Sequence, residues 1–118
     1  MATYSRILLS GSTNGRAIPV AATATPGTAV HTSVSGTAAY DELYLWASNV
    51  TGTTATLTIE WGGVTDPGDH VVKAISIPAN SPPIPIVTGQ VLNNALLVKA
   101  FSGTASAINL TGFVNRIS

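Results

Sequence analysis

The chain contains no cysteine, so neither a disulfide framework nor a thiolate metal site is open to it. Charge is nearly as scarce. Only 8% of residues are charged, five basic and five acidic, and the formal net charge is zero. A nucleic-acid binder needs a basic patch to neutralise phosphates, and five scattered Lys and Arg residues do not form one. No apolar run approaches the roughly 18 residues of a membrane span. The start, "MATYSRILLSGSTNG", has neither a basic leader nor a long apolar segment, so it does not read as a signal peptide. The expectation is a soluble protein made in the cytoplasm. The sequons at Asn49 and Asn109 then read as chance matches. Helical periodicity is missing too: no window repeats apolar residues at i, i+3, i+4 and i+7 over three turns.

What remains is a strand-forming composition. Hydrophobic residues make up 45% of the chain, too many for a disordered segment. With 118 residues the chain is one domain, long enough to bury a core. Short apolar runs alternate with Gly, Pro, Asn and Ser, as in an all-β sandwich or barrel. Strands are expected near 4–9, 17–23, 28–34, 41–49, 53–61, 70–77, 84–88, 95–101 and 107–116. The fold class predicted is all-β: a single jelly-roll-like β-sandwich over residues 1–118, with about eight short antiparallel strands. "SGSTNGR" (10–16) and "TATPGT" (23–28) punctuate the start, so residues 1–28 could form a partly extended N-terminal segment; an ordinary first strand is the favoured reading.

The stretch 41–61 reads as a hairpin with a three-residue loop, Val50 to Gly52, in which Gly52 takes a positive φ. That register sets Leu45 against Leu57, Leu43 against Ile59, and Ala47 against Ala55, all on a core face that Trp61 shares. Trp46 would then meet Thr56 and Tyr44 would meet Thr58 on the other face. It also sets Glu42 opposite Glu60, so that end must be solvated or out of register. The four prolines of "SIPANSPPIPIVTGQ" place residues 77–85 in an extended loop, followed by a short edge strand at 84–88. Residues 96–118 read as a second hairpin turning at 102–105, with Ile108, Leu110 and Val114 on one face and Phe113 and Ile117 on the other. Large apolar groups thus lie on both faces of these strands. A surface with so little charge favours association. The outer side is therefore expected to be an interface, formed by Tyr44, Trp46, Thr56, Thr58 and Phe113.

Signals for chemistry are weak. "VTDPGDHV" gathers Asp66, Asp69 and His70, with Glu60 nearby in sequence, and such a set could hold a divalent cation. Pro67 and Gly68 at the centre, with Asp on either side, instead suit a type II turn, and no metal or other cofactor is expected. A catalytic triad would have to use His31 or His70, and the G-x-S-x-G elbow is absent. His31, between Val30 and Thr32, reads as a polar-face strand residue. A glycosidase carboxylate pair among Asp41, Glu42 and Glu60 would need a cleft. "GSTNGR" lacks a phosphate-loop lysine. The expectation is that the protein is not an enzyme. Tyr44, Trp46 and Trp61 could stack on sugar rings, but Trp and Tyr are equally enriched in protein contacts.

The run "DELYLWASN", the following "TLTIEWGG", the extended "ISIPANSPPIPIV", the "LLVKAF" strand and the terminal "TGFVNRIS", which together span residues 40–118, resemble the small β-sandwich virion proteins of tailed bacteriophages. The resemblance is strongest to capsid decoration, or cement, proteins. It is one of texture and strand order. It implies a virion structural protein that binds the major capsid protein on the outer surface of the shell and reinforces it, as a homo-oligomer, often a trimer. It brings no catalytic residues. Alternatives are another virion component, such as a head-fibre base or a tail or receptor-binding module, and a carbohydrate-binding module.

Overall fold

The computed structural model describes residues 3–118. Its nine strands are β1 (Tyr4–Leu8), β2 (Ile18–Pro19), β3 (Thr28–Thr32), β4 (Tyr40–Asn49), β5 (Ala55–Trp61), β6 (His70–Ile77), β7 (Ile84–Leu92), β8 (Leu97–Ser102) and β9 (Ile108–Ile117). No helix occurs among the described residues. The first sheet runs β1-β9-β4-β7, with β2 also on β9; the second runs β3-β8-β5-β6. Every paired neighbour is antiparallel. The predicted all-β sandwich is what the chain forms.

The pairing is nested. β5 pairs with β6, β4 with β7, β3 with β8 and β1 with β9. The chain is thus one long antiparallel hairpin, closed at β5–β6 and rolled so that successive rungs fall in opposite sheets. The additional pairs β4·β9 and β5·β8 complete the two sheets. With the two-residue β2 set aside, this is the eight-stranded double Greek key of a jelly roll.

Rolling overturns both predicted hairpins. β4 and β5 lie in different sheets, as do β8 and β9. Leu43, Leu45 and Ala47 are buried with Ala55, Leu57 and Ile59, but they share the core between the sheets rather than pairing along one ladder. Strict alternation determines which face a side chain takes, and it looks the same whether the next strand lies beside the first or across the core. Asn49 redirects the chain. Buried at the end of β4, it accepts hydrogen bonds at Oδ1 from the Thr51 amide (2.9 Å) and hydroxyl (2.8 Å), and its Nδ2 donates to the carbonyls of Thr53 (2.8 Å) and Ile77 (3.1 Å). Gly52 does not take the positive φ that the predicted loop required. Glu42 and Glu60 never meet, because Glu42 lies beside Asn115 and Glu60 lies across from Lys99 and His70.

The core contains Leu9, Val20, Val30, Leu43, Leu45, Leu57, Ile59, Val87, Val98, Ile108, Leu110 and Val114 among its buried residues. Trp61 is only half-buried, packed against this core. Ile117, expected on the outer face with Phe113, sits opposite Tyr40 and Tyr4 and is buried. β7 is an edge strand as expected but extends to Leu92, with Pro85 at one of its two register shifts.

Candidate functional site

Alternation along β4 sends Leu43, Leu45 and Ala47 inward, leaving Glu42, Tyr44, Trp46 and Ser48 on the outer face of the first sheet, each half-buried. β9 places Phe113 directly beside Tyr44 and Thr111 beside Trp46. The Tyr44 and Phe113 rings stack with centroids 4.9 Å apart and planes at 19°; Trp46 lies 5.9 Å from Phe113 at 30°. From β1, the Arg6 guanidinium rests 4.5 Å above the Phe113 ring, within cation–π range. The Tyr44 hydroxyl donates to Glu42 Oε1 (2.8 Å), and Asn115 Nδ2 donates to the same oxygen (3.3 Å). The hydrogen bond to Glu42, with some burial and the charge of Glu42, raises the phenol above its ordinary pKa; Arg6 opposes this weakly. The tyrosine is thus held protonated and is no candidate base.

Two glycines make room for this patch. A Cβ at Gly112 would run into the Tyr44 backbone carbonyl, so β9 can press this closely on β4 only with glycine there. Gly89, at φ +98° in a bulge of β7, lies against the Tyr44 ring and hydroxyl. Tyr44, Trp46 and Phe113 therefore form one contiguous aromatic patch on an uncovered sheet face, rimmed by Arg6, Glu42 and Asn115.

Thr56 and Thr58 are not part of it. They belong to β5, on the outer side of the second sheet. Thr58 is buried beside Phe101, with its hydroxyl accepting from the Ala74 amide (2.9 Å); Thr56 accepts from Gly103. The predicted interface pairs Trp46–Thr56 and Tyr44–Thr58 are replaced by Trp46–Thr111 and Tyr44–Phe113, because rolling gives β4 the partner β9 instead of β5.

Of the remaining candidates, Asp66, Asp69 and Glu60 are engaged structurally, whereas both ring nitrogens of His70 are buried without a hydrogen-bond partner, Nδ1 lying 3.5 Å from Asp66 Oδ1. Asp66 accepts from Lys73 Nζ (2.6 Å), which holds its carboxyl below the usual range, and Asp69 accepts from the Thr65 amide (3.0 Å). The turn is not type II. Gly68 lacks the positive φ, and the chain closes through Asp69 N–H to the Thr65 carbonyl (2.9 Å) and His70 N–H to the Pro67 carbonyl (3.0 Å). Glu60 is fully buried, and of the two expected outcomes for that end it is the register that gives way, since Glu60 never faces Glu42. The Glu60 carboxylate accepts from the Thr25 hydroxyl (2.5 Å) and the Gly27 amide (2.7 Å), tying the 24–28 loop onto the second sheet. Among the described residues, no three acidic, His or Cys side chains converge as a metal set. Two open hollows lie on the surface, about 150 Å³ beside Gly62, Leu96 and Lys99 and about 260 Å³ beside Thr13, Arg16 and Pro19.

His31 is a correction of a different kind. A bulge between Ala29 and His31 breaks the alternation, so Val30 and His31 are both buried. The Ser10 amide donates to His31 Nδ1 (3.0 Å), which leaves Nε2 to donate to Asp41 Oδ2 (2.7 Å). Asp41 also accepts from Val34 N–H (3.1 Å) and from Arg116 through Nε (2.7 Å) and Nη2 (2.9 Å). Burial pushes the Asp41 carboxyl up, but the hydrogen bonds from Arg116 and His31 outweigh it and hold the pKa below the ordinary value. This network bridges the sheets. Sequence offered no sign of it, since Asp41 and Arg116 are 75 residues apart.

Compared with known proteins, the chain matches no family model, and neither a curated protein nor a solved structure is significantly similar to it.

Proposed function

We propose that this protein is a virion structural protein that docks on the outer surface of a tailed-phage capsid, against the major capsid protein, as a homo-oligomeric decoration protein. One observation carries the reading: Tyr44, Trp46 and Phe113 form a contiguous patch on the open face of the first sheet, in a chain with very little charge. Clustered aromatics on an uncovered face mark a contact surface. The resemblance of residues 40–118 to decoration proteins supplies the kind of partner. The jelly roll is compatible with this role, since it serves viral capsid and lectin domains alike, and by itself it does not choose between them.

The sugar-binding alternative is the weaker reading, for a geometric reason. A pyranose stacks on an open ring face. Phe113 is covered by Tyr44 and Trp46 on one hand and by Arg6 on the other, and its stack with Tyr44 closes a face of that ring too. Rings stacked against one another offer edges and a shared apolar top, which suits a protein partner better.

The test is cosedimentation of the purified protein with empty phage capsids, for wild type and Trp46→Ala. Trp46 contributes nothing to the core, so the variant keeps its fold. Loss of a hot-spot aromatic weakens binding by about 2 kcal/mol or more. Capsid binding that is unchanged in the folded variant refutes the role of this face. Binding to glycans in place of capsids selects the alternative.

A further inference from the structure

Sandwiches have four sheet edges, and exposed edges invite pairing with other chains. Three edges of this sandwich are blunted. β6 has two register shifts, with Ala74 at φ +49°. β7 has two more, with Pro85 and the positive-φ Gly89. The free side of β3 is capped by the segment that follows β1: Gly11 N–H donates to the Val30 carbonyl (2.9 Å), and Thr32 N–H donates to Ser10 Oγ (2.7 Å). The fourth edge is shared by β2 and β1 along β9. Its β2 half carries Pro19, which has no N–H.

The β1 half is different. Its register with β9 is unbroken over Tyr4–Leu8. Thr3 and Ser118 exchange both backbone hydrogen bonds (2.6 and 2.9 Å), which sets the phase of the ladder. In an antiparallel pair, bonded and non-bonded positions alternate. Ser5 and Ile7 therefore turn their backbone groups to β9, while Tyr4, Arg6 and Leu8 turn theirs outward. No other described residue hydrogen-bonds to those three amides. Their side chains are exposed, with Tyr4 71% and Leu8 55% accessible on either side of Arg6.

We propose that the β1 edge is a strand-docking site for an extended segment of a partner protein, one whose alternate residues run apolar, acidic, apolar. An added strand takes the outward N–H and C=O groups of Tyr4, Arg6 and Leu8, and cross-strand complementarity sets its side chains. Opposite Tyr4 and Leu8 the match is apolar; opposite Arg6 it is a carboxylate. A second copy of this chain is disfavoured as the occupant. Full antiparallel overlap of two β1 strands puts one Arg6 against the other, and like charges directly opposite are unfavourable. This site goes beyond the aromatic face, with which it shares Arg6, whose guanidinium also rests on Phe113.

The probe is an acetylated seven-residue peptide that alternates threonine with valine, glutamate and valine, followed by amide hydrogen exchange on the full chain. The expected result is slowed exchange at Tyr4, Arg6 and Leu8, about fivefold weaker binding when lysine replaces the glutamate, and reversal of that preference in Arg6→Glu. Leu8→Pro removes an outward donor without touching the ladder to β9 and should abolish binding at unchanged melting temperature. If that variant unfolds, the charge-swapped peptides still decide. No protection at β1, equal binding of both peptides, or protection that grows with protein concentration in the absence of peptide overturns the proposal, the last by making a second copy the occupant.

Discussion

Arg116→Met tests whether the Asp41 network stabilises the sandwich, and it does so through the sign of a pH dependence. In the wild type, Asp41 is fully buried and Arg116 meets it with two hydrogen bonds, at 2.7 and 2.9 Å. Breaking a buried ion pair by deleting one partner costs about 3–5 kcal/mol, because the remaining charge is left uncompensated. The Arg116 side chain is 36% accessible, so solvent screens part of that interaction and the expected loss at pH 7 is nearer to about 2 kcal/mol. The folded-state pKa of Asp41 lies below its unfolded value, so its contribution is present above the unfolded pKa and is lost as pH falls through the folded one. Without Arg116, burial is less opposed and the carboxyl pKa moves up. The variant then has less of this stability to lose on acidification, and the gap between the two proteins narrows as pH drops from 7 towards 3. Urea unfolding at several pH values reads this directly, with Asp41→Asn as the background in which Arg116→Met should cost little. A gap that stays constant with pH, or that is equally large in the Asp41→Asn background, refutes the reasoning and reduces Arg116 to a packing residue.

Three further outcomes are expected. Leu57→Ala, in the fully buried centre of the second sheet, should lower stability by about 2–5 kcal/mol in chemical denaturation; wild-type stability would show that this face is not core. Gly112→Ala drives a methyl into the Tyr44 carbonyl and should cost about 2 kcal/mol or more while disturbing the Tyr44–Phe113 stack, seen as a changed near-UV circular dichroism spectrum. Ca2+ or Zn2+ should not raise the melting temperature, since Asp66 and Asp69 are committed to Lys73 and the turn; a rise that Asp69→Ala abolishes would place a metal there.

The sequence by itself determined the class of fold and the direction of the large apolar side chains in β4 and β5. Alternation in β4 and β5 put Leu43, Leu45, Ala47, Leu57 and Ile59 inward and Tyr44 and Trp46 outward, because a strand's side-chain period of two is a local property of the backbone. Tertiary structure alone decided which strands are neighbours. The short 50–54 connection looks like a hairpin loop, and only the Asn49 hydrogen bonds and the rolled topology turn it into a crossing between sheets. For that reason Thr56 and Thr58 leave the predicted interface, while Phe113, already expected in it, comes to lie directly beside Tyr44 although it is far away in the chain. The same cause hid the His31–Asp41–Arg116 network and the Glu60 clamp on the 24–28 loop. Each joins polar groups distant in sequence whose burial is possible only because pairing brings a partner to each of them, and no local pattern records such a partner.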